Sequence, residues 1–381
     1  MKRTLFSDEH EQFREMVTAF FSNEAVPHLR EWEEAGRVDR GFLRRAGELG
    51  LLGFQVPVEY GGAGLDTFTY NVVVSEAAAA LHFVPVTLRV HTDIVLPYFL
   101  AYADSVQRER WLPRLASGES IAAIAMSEAG TGSDLAGIRT RAVRDGDHYL
   151  LNGAKTFITS GITADVIIVV ARTAEEENRR DGLTLLVVED GMNGFSRGRN
   201  LEKLGLRYSD TAELFFEDVS VPVANRLGEE GKAFGYLSSN LPQERTSISV
   251  GAVSMATAAL VGTVAYAKER EMFDTTLASF QNTKFVLAEV ATEIEAAQHM
   301  LDRAVTELDA RTLTPADAAK VKLFCTEVQS RAVDKCLQIH GGYGYMRDYD
   351  ISGMYADARV TRIYGGTSEI MKIIIARSLG L

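Results

Sequence analysis

Cysteine is almost missing from this chain, with Cys325 and Cys336 the only two. On a single helix they would stand about 16 Å apart along the axis, too far to bridge, so no structural disulfide is expected. The seven histidines include no H-x-x-x-H pair and no C-x-x-C accompanies them, so a metal site has little support. Basic charge is also short: 40 Lys and Arg stand against 52 Asp and Glu, a formal net charge of −12. A phosphate-backbone partner needs the opposite balance, which argues against nucleic-acid binding. Long apolar runs are lacking as well. A membrane span takes roughly 18 or more consecutive apolar residues, and runs such as Val166–Ala171 are far shorter, so no membrane insertion is expected. The N-terminal stretch turns acidic without the apolar core of a secretory signal, and a cytoplasmic location is the default expectation.

What is present is enough apolar material for a substantial core, 46% of 381 residues, in one to three domains. The texture changes twice along the chain. Residues 1–120 have helical spacing: Ser7 is placed to cap a helix, and Phe13, Val17 and Phe20 recur on one face. Residues 121–229 hold short β-branched runs divided by turn pairs such as Asp145-Gly146 and Asn152-Gly153, which predicts an antiparallel sheet or barrel. The acidic and basic stretch Glu175–Gly182 reads as a solvated loop between two strands. Residues 230–381 are helical again. Leu287, Val290, Ile294, Ala297, Leu301, Ala304 and Leu308 form a seam for neighbouring helices, and Thr314-Pro315-Ala316-Asp317 has the composition of a helix start. The fold class expected is therefore α+β.

Five segments carry possible chemistry. Met126, Ser127, Gly132 and Ser133 lie in a stretch of small residues and hydroxyls where backbone amides can approach a flat or anionic ligand; a plain glycine-rich loop entering the sheet would look the same. Phe157 and Thr159 alternate along a strand, so ring and hydroxyl would share a face. Gln338, Gly341 and Gly342 mark a helix end with close backbone access, or a simple C-cap. Arg270 and Phe273 offer a cation and a ring. Tyr364-Gly365-Gly366-Thr367-Ser368-Glu369 supplies amide and hydroxyl donors, as a helix-capping loop also would.

In this order and at these distances the five segments resemble the acyl-CoA dehydrogenase family, and the resemblance runs over nearly the whole chain. It implies an N-terminal helical domain, a central β-domain and a C-terminal four-helix bundle, with non-covalent FAD and a homo-oligomer that is usually a tetramer. By that resemblance Met126, Ser127, Gly132, Ser133, Phe157 and Thr159 contact the flavin, and Phe157 stands where tryptophan is usual. Arg270, Phe273, Gln281, Gln338, Gly341 and Gly342 reach across a subunit interface to a neighbour's FAD, and Thr367 and Glu369 also contact cofactor. Asp274 occupies a position that is commonly glycine.

Many family members carry the catalytic glutamate where this chain has Gly365. In the long-chain and isovaleryl types it sits on a C-terminal-domain helix instead, and Gln243-Glu244-Arg245 matches that pattern. The resemblance implies that Glu244 removes the α-proton of a saturated acyl-CoA or acyl-carrier thioester while hydride leaves Cβ for flavin N5, giving a trans-2,3-enoyl product. The Gly365 amide helps to polarise the thioester carbonyl. Ser133, Arg245, Tyr364, Gly365 and Gly366 are the substrate neighbours, and Glu369 is the rival base. An electron-transfer flavoprotein is the implied acceptor and fatty-acid metabolism the implied setting. Two alternatives stay open: an oxidase or monooxygenase on the same scaffold, and a non-catalytic protein that binds acyl thioesters.

Overall fold

The computed structural model describes residues 2–381. Seven helices come first: α1 (Asp8–Glu24), α2 (Leu29–Ala35), α3 (Arg40–Glu48), α4 (Thr69–Ala80), α5 (Val86–Arg89), α6 (Leu96–Tyr102) and α7 (Ser105–Ala116). Between α5 and α6 the backbone winds as a π-helix over Val90–Val95. Asp104 caps α7 by accepting from the Gln107 amide at 2.9 Å. The cap of α4 comes from far away. Asp309 accepts from the Phe68 amide at 2.6 Å and from the Thr67 and Thr69 hydroxyls at 2.6 and 2.9 Å, so the end of a C-terminal helix satisfies orphan donors in the first region.

The sheet follows: β1 (Ala122–Ala125), β2 (Arg141–Asp145), β3 (His148–Thr159), β4 (Val166–Arg172), β5 (Leu183–Glu189), β6 (Phe195–Asn200), β7 (Thr211–Pro222) and β8 (Arg226–Leu227). Its order is β6-β7-β3-β2-β4-β5-β8, with β1 paired to β4. Most pairings are antiparallel, but β1 runs parallel to β4, as does the single β2–β4 contact. Strand β4 is buried along its whole length, which explains its unbroken Val-Ile-Ile-Val-Val-Ala run.

The third region has α8 (Ala233–Glu269), a hairpin of β9 (Glu271–Met272) and β10 (Thr275–Thr276), α9 (Gln281–Asp309), α10 (Pro315–His340), α11 (Asp350–Ala358) and α12 (Ser368–Ser378). Thr314 and Thr367 cap α10 and α12 with their hydroxyls. Along the α9 seam Val290, Ile294, Ala297, Leu301 and Ala304 are buried, while Leu287 and Leu308 near its ends are half-buried. Helix α8 is long and apolar enough to cross a membrane by length and composition alone. Here it is the central helix of a bundle, packed against α4, α9 and α10. Cys325 and Cys336 are free and buried in that core.

A polar joint holds the three regions in register. Asp357 on α11 accepts from the Leu206 amide at 2.5 Å and from the Tyr208 phenol at 3.3 Å, and Tyr208 in turn accepts from the Val84 amide at 3.1 Å. Burial pushes the Asp357 carboxyl up to about 6 despite these bonds.

Candidate active site

Glu244 lies in the fourth turn of α8, between two residues that fix the helix to the N-terminal region. Gln243 donates to the Asp93 carbonyl at 2.8 Å, and Ser247 donates to the Asp93 carboxylate at 2.5 Å. The Glu244 side chain is buried, and its Oε2 has no hydrogen-bond partner. Such an atom costs stability unless a ligand uses it. Burial raises the carboxyl from 4.5 to about 6, and the positive charges of Arg245 and Lys322 hold the rise back.

The distant turn comes up against this acid. Gly365 has φ +62°, a left-handed backbone that disfavours any side chain. A Cβ placed there would collide with Ile248 Cδ1 and stand 3.6 Å from Glu244 Oε1. The turn therefore has neither the backbone nor the room for a carboxylate of its own, and the acid on α8 occupies the facing position. Two cations brace the turn: Lys322 Nζ donates to the Gly366 carbonyl at 2.7 Å, and Arg245 Nε makes a long 3.4 Å contact to the Gly365 carbonyl. Burial drives the Lys322 ammonium down to about 8. Gly366 also has positive φ, at +95°. Glu369 is exposed on the first turn of α12, and hydrogen bonds to its own amide and to Thr367 keep its carboxyl low. It cannot match Glu244 as a buried base.

A second group of residues sits on the sheet region. The Thr156 amide donates to the Ser127 carbonyl at 2.9 Å, tying the Met126–Ser133 loop to β3. Between Lys155 and Ile158 the β3–β7 register shifts, and in that bulge Phe157 takes φ +58° and turns its ring outward, 71% exposed. The simple alternation expected for this strand is thus broken at the aromatic residue. Gly130 and Gly132 have open space where a Cβ would point, and the buried Thr131 hydroxyl next to them has no partner. An outward ring, bare glycine backbone and an unpaired hydroxyl fit a flat, hydrogen-bonding ring system.

Behind this loop lies a charged pair that no sequence motif marks. Lys155, fully buried on β3, donates to Glu128 Oε1 at 2.9 Å and to the Met126 carbonyl at 3.0 Å. Glu128 also accepts from the Arg139 and Thr140 amides at 2.8 and 2.9 Å. Burial brings the Lys155 ammonium down to about 8. For Glu128 burial acts upward, but the lysine and the Thr140 bonds bring the carboxyl below its ordinary value.

The third group gathers at the far end of α8 and α10. Arg270, Gly341 and Gly342 line a cavity of about 460 Å³ with Tyr266, His340 and Tyr343. His340 stacks on Tyr266 at 4.2 Å, and the Arg270 guanidinium lies over the Tyr343 ring at 5.2 Å. Gln281 and Gln338 are exposed, and the Phe273 ring is 84% exposed at the tip of the β9–β10 hairpin. Phe273 and Asp274 take φ of +49° and +59°, so Asp274 adopts the backbone that glycine would supply in a tight hairpin. Open space above Gly341 and Gly342 again suits close approach of a ligand backbone. Among the described residues no hydrogen bond or ion pair joins this group to Glu244.

Three family models cover almost all of the chain: acyl-CoA dehydrogenase N-terminal domain over residues 7–119, middle domain over 123–219 and C-terminal domain over 231–380. The long-chain specific acyl-CoA dehydrogenase of Sus scrofa mitochondria is 44% identical over 378 residues, 99% of this chain and 88% of that protein. The crystal structure of an acyl-CoA dehydrogenase from Geobacillus kaustophilus superposes with a TM-score of 0.97 at 43% identity, covering 100% of both chains. One from Bacillus anthracis complexed with FAD matches with a TM-score of 0.91 at 33% identity, over 98% of this chain and 67% of that one. A helical, sheet and helical body with an open ring-binding edge and a buried, unpaired acid defines a flavin-dependent oxidoreductase. More narrowly, the chain belongs to the acyl-CoA dehydrogenase family, whose cofactor is FAD.

Proposed function

We propose that this chain oxidises a saturated acyl-CoA thioester to the trans-2,3-enoyl thioester, with Glu244 as the base that removes the α-proton. The observation that carries the assignment is the buried, unpartnered Oε2 of Glu244, set opposite a Gly365 turn that cannot accept a side chain. FAD, when bound, supplies the acceptor for the β-hydride and a ribityl hydroxyl for the thioester oxygen. The protein supplies the rest. Glu244 is poised near neutrality, ionised above about pH 6 yet basic enough to take a weakly acidic carbon-bound proton. Lys322 and Arg245 hold the carbonyls of Gly366 and Gly365, which steadies the turn that carries the Gly365 amide, the donor for a thioester oxygen. Met126, Ser127, Gly132, Ser133, Phe157 and Thr159 would hold the flavin, with Thr367 and Glu369 beside it, and Tyr364 would border the acyl group.

The exposed third group, Arg270, Phe273, Gln281, Gln338, Gly341 and Gly342, supports cofactor sharing between subunits in a homotetramer. The acceptor would be an electron-transfer flavoprotein, the thioester one of fatty-acid metabolism and the compartment the cytoplasm. Neither the oxidase nor the non-catalytic alternative is favoured by the likenesses. Anaerobic titration of the FAD-loaded protein with a panel of saturated acyl thioesters tests the proposal: bleaching of the flavin by at least one supports it, and no bleaching by short, long or branched chains contradicts it.

A further inference from the structure

Resting on that reading, we infer that the acyl group carries an oxygen acceptor several carbons beyond the thioester, and that Arg89 recognises it. The α5 residue Arg89 is 91% buried in its side chain, from 9% exposure, and reaches α8 one turn past the base. Its Nη2 donates to the Ser247 carbonyl at 2.5 Å and to the Ser247 hydroxyl at 3.0 Å. Its Nη1 occupies the space where a side chain at position 251 would go, so Gly251 is bare because the guanidinium is there. Nε is buried without a hydrogen-bond partner.

The local acid pairs with this cation in charge but gives its Nε no hydrogen bond. Asp93 is 3.8 Å from Nε, beyond hydrogen-bond range, and its oxygens are already used by Asn71 at 2.5 Å, Thr92 at 2.7 Å and Ser247 at 2.5 Å. Tyr364, on the turn that faces Glu244, lies close enough to feel the charges of both Arg89 and Glu244, so base, phenol and cation are near neighbours. Ser247 and Gly251 lie three and seven residues beyond Glu244, about 4.5 and 10 Å along the helix axis. A thioester whose α-carbon is at Glu244 meets this polar wall partway down its acyl chain. Plain methylenes would leave the under-bonded guanidinium desolvated against hydrocarbon, whereas a carboxylate, hydroxyl or keto oxygen would complete it. This departs from the unsubstituted long chain that the name of the mitochondrial relative suggests.

The test compares hexanoyl- and octanoyl-CoA with their ω-hydroxy and ω-carboxy counterparts in anaerobic flavin bleaching and steady-state turnover. At least one oxygenated series should exceed its plain counterpart in kcat/KM by roughly tenfold or more, the scale of a hydrogen bond to a charged group. The two arms tell a charged acceptor from a neutral one. Arg89→Met should erase or reverse the preference. Plain chains equal or better in the wild type, or a variant that loses all substrates alike, overturns the inference. In case the variant does not fold, a wild-type measurement stands beside it: enoyl products bearing the oxygen should perturb the flavin spectrum at lower concentration than plain ones, and equal concentrations refute the idea. If the wild type bleaches with none of these and with none of the short, long and branched chains, the dehydrogenase reading itself has failed rather than the role of Arg89.

Discussion

Glu244→Gln should abolish turnover and at the same time stabilise the fold. In the folded protein the carboxyl titrates near 6, above its ordinary value of 4.5. The folded form therefore keeps the proton over a pH range in which the unfolded chain has lost it, and stability falls as pH rises from about 4.5 to about 6. Above that window the full shift applies, about 1.5 units or ~2 kcal/mol against the folded state. Glutamine keeps the shape and carries no charge, so at pH 7.5 the variant should gain up to ~2 kcal/mol, a few degrees in Tm for a protein of this size. Below about pH 4.5 the gain should vanish, because the wild-type carboxyl is then neutral too. Thermal unfolding of both FAD-loaded proteins across pH 4.5 to 7.5 reads this directly. A variant less stable than wild type at pH 7.5, or a difference that ignores pH, would refute the argument that Glu244 is a desolvated, unpaired carboxylate kept for its chemistry.

Because the base must be ionised, kcat/KM should rise with pH through about 6 and level off above it, read from steady-state rates in matched-ionic-strength buffers. Gly365→Ala should cost about 1–3 kcal/mol, since it combines a left-handed φ with a clash at Ile248; denaturant unfolding measures it, and an unchanged midpoint would show that the turn is relaxed. Lys155→Met should destabilise by about 3–5 kcal/mol by leaving Glu128 charged and unpaired, and Lys155→Met with Glu128→Gln should recover most of that loss. FAD retention through gel filtration should follow the same order, because the pair holds the loop at Met126.

Much of this site was legible from composition because its logic is local. Thr314 reads as a helix cap and is one, the 364–369 segment, open to either a ligand-donor or a capping reading, puts Thr367 at the cap of α12, and the middle of the α9 seam is buried where its spacing placed it. Glu244 and Gly365 could be linked only as a presence and an absence; that they face each other, with Ile248 filling the gap, is a matter of packing. Other features depend on partners far away in the chain. A lysine in a strand reads as a surface residue until its acid is known, so the pattern does not mark Lys155, and the same holds for Lys322 and Arg89. Nothing local in Val90–Val95 announces a π-helix, nor does Thr-Phe-Ile-Thr announce the bulge that turns Phe157 outward. Asp309 caps a helix some 240 residues earlier, a contact no sequence window contains.

Proton removal at the α-carbon can be watched without oxidation. A saturated thioester with sulfur in place of the β-carbon cannot give up hydride, so in deuterated water any deuterium gained at its α-carbon reports the base alone. The wild-type FAD-loaded protein should exchange that position, and Glu244→Gln should be slower by roughly 10²–10⁴-fold, the usual worth of a positioned base, with its flavin spectrum intact. Exchange at an undiminished rate in the variant would place the base elsewhere and contradict the account.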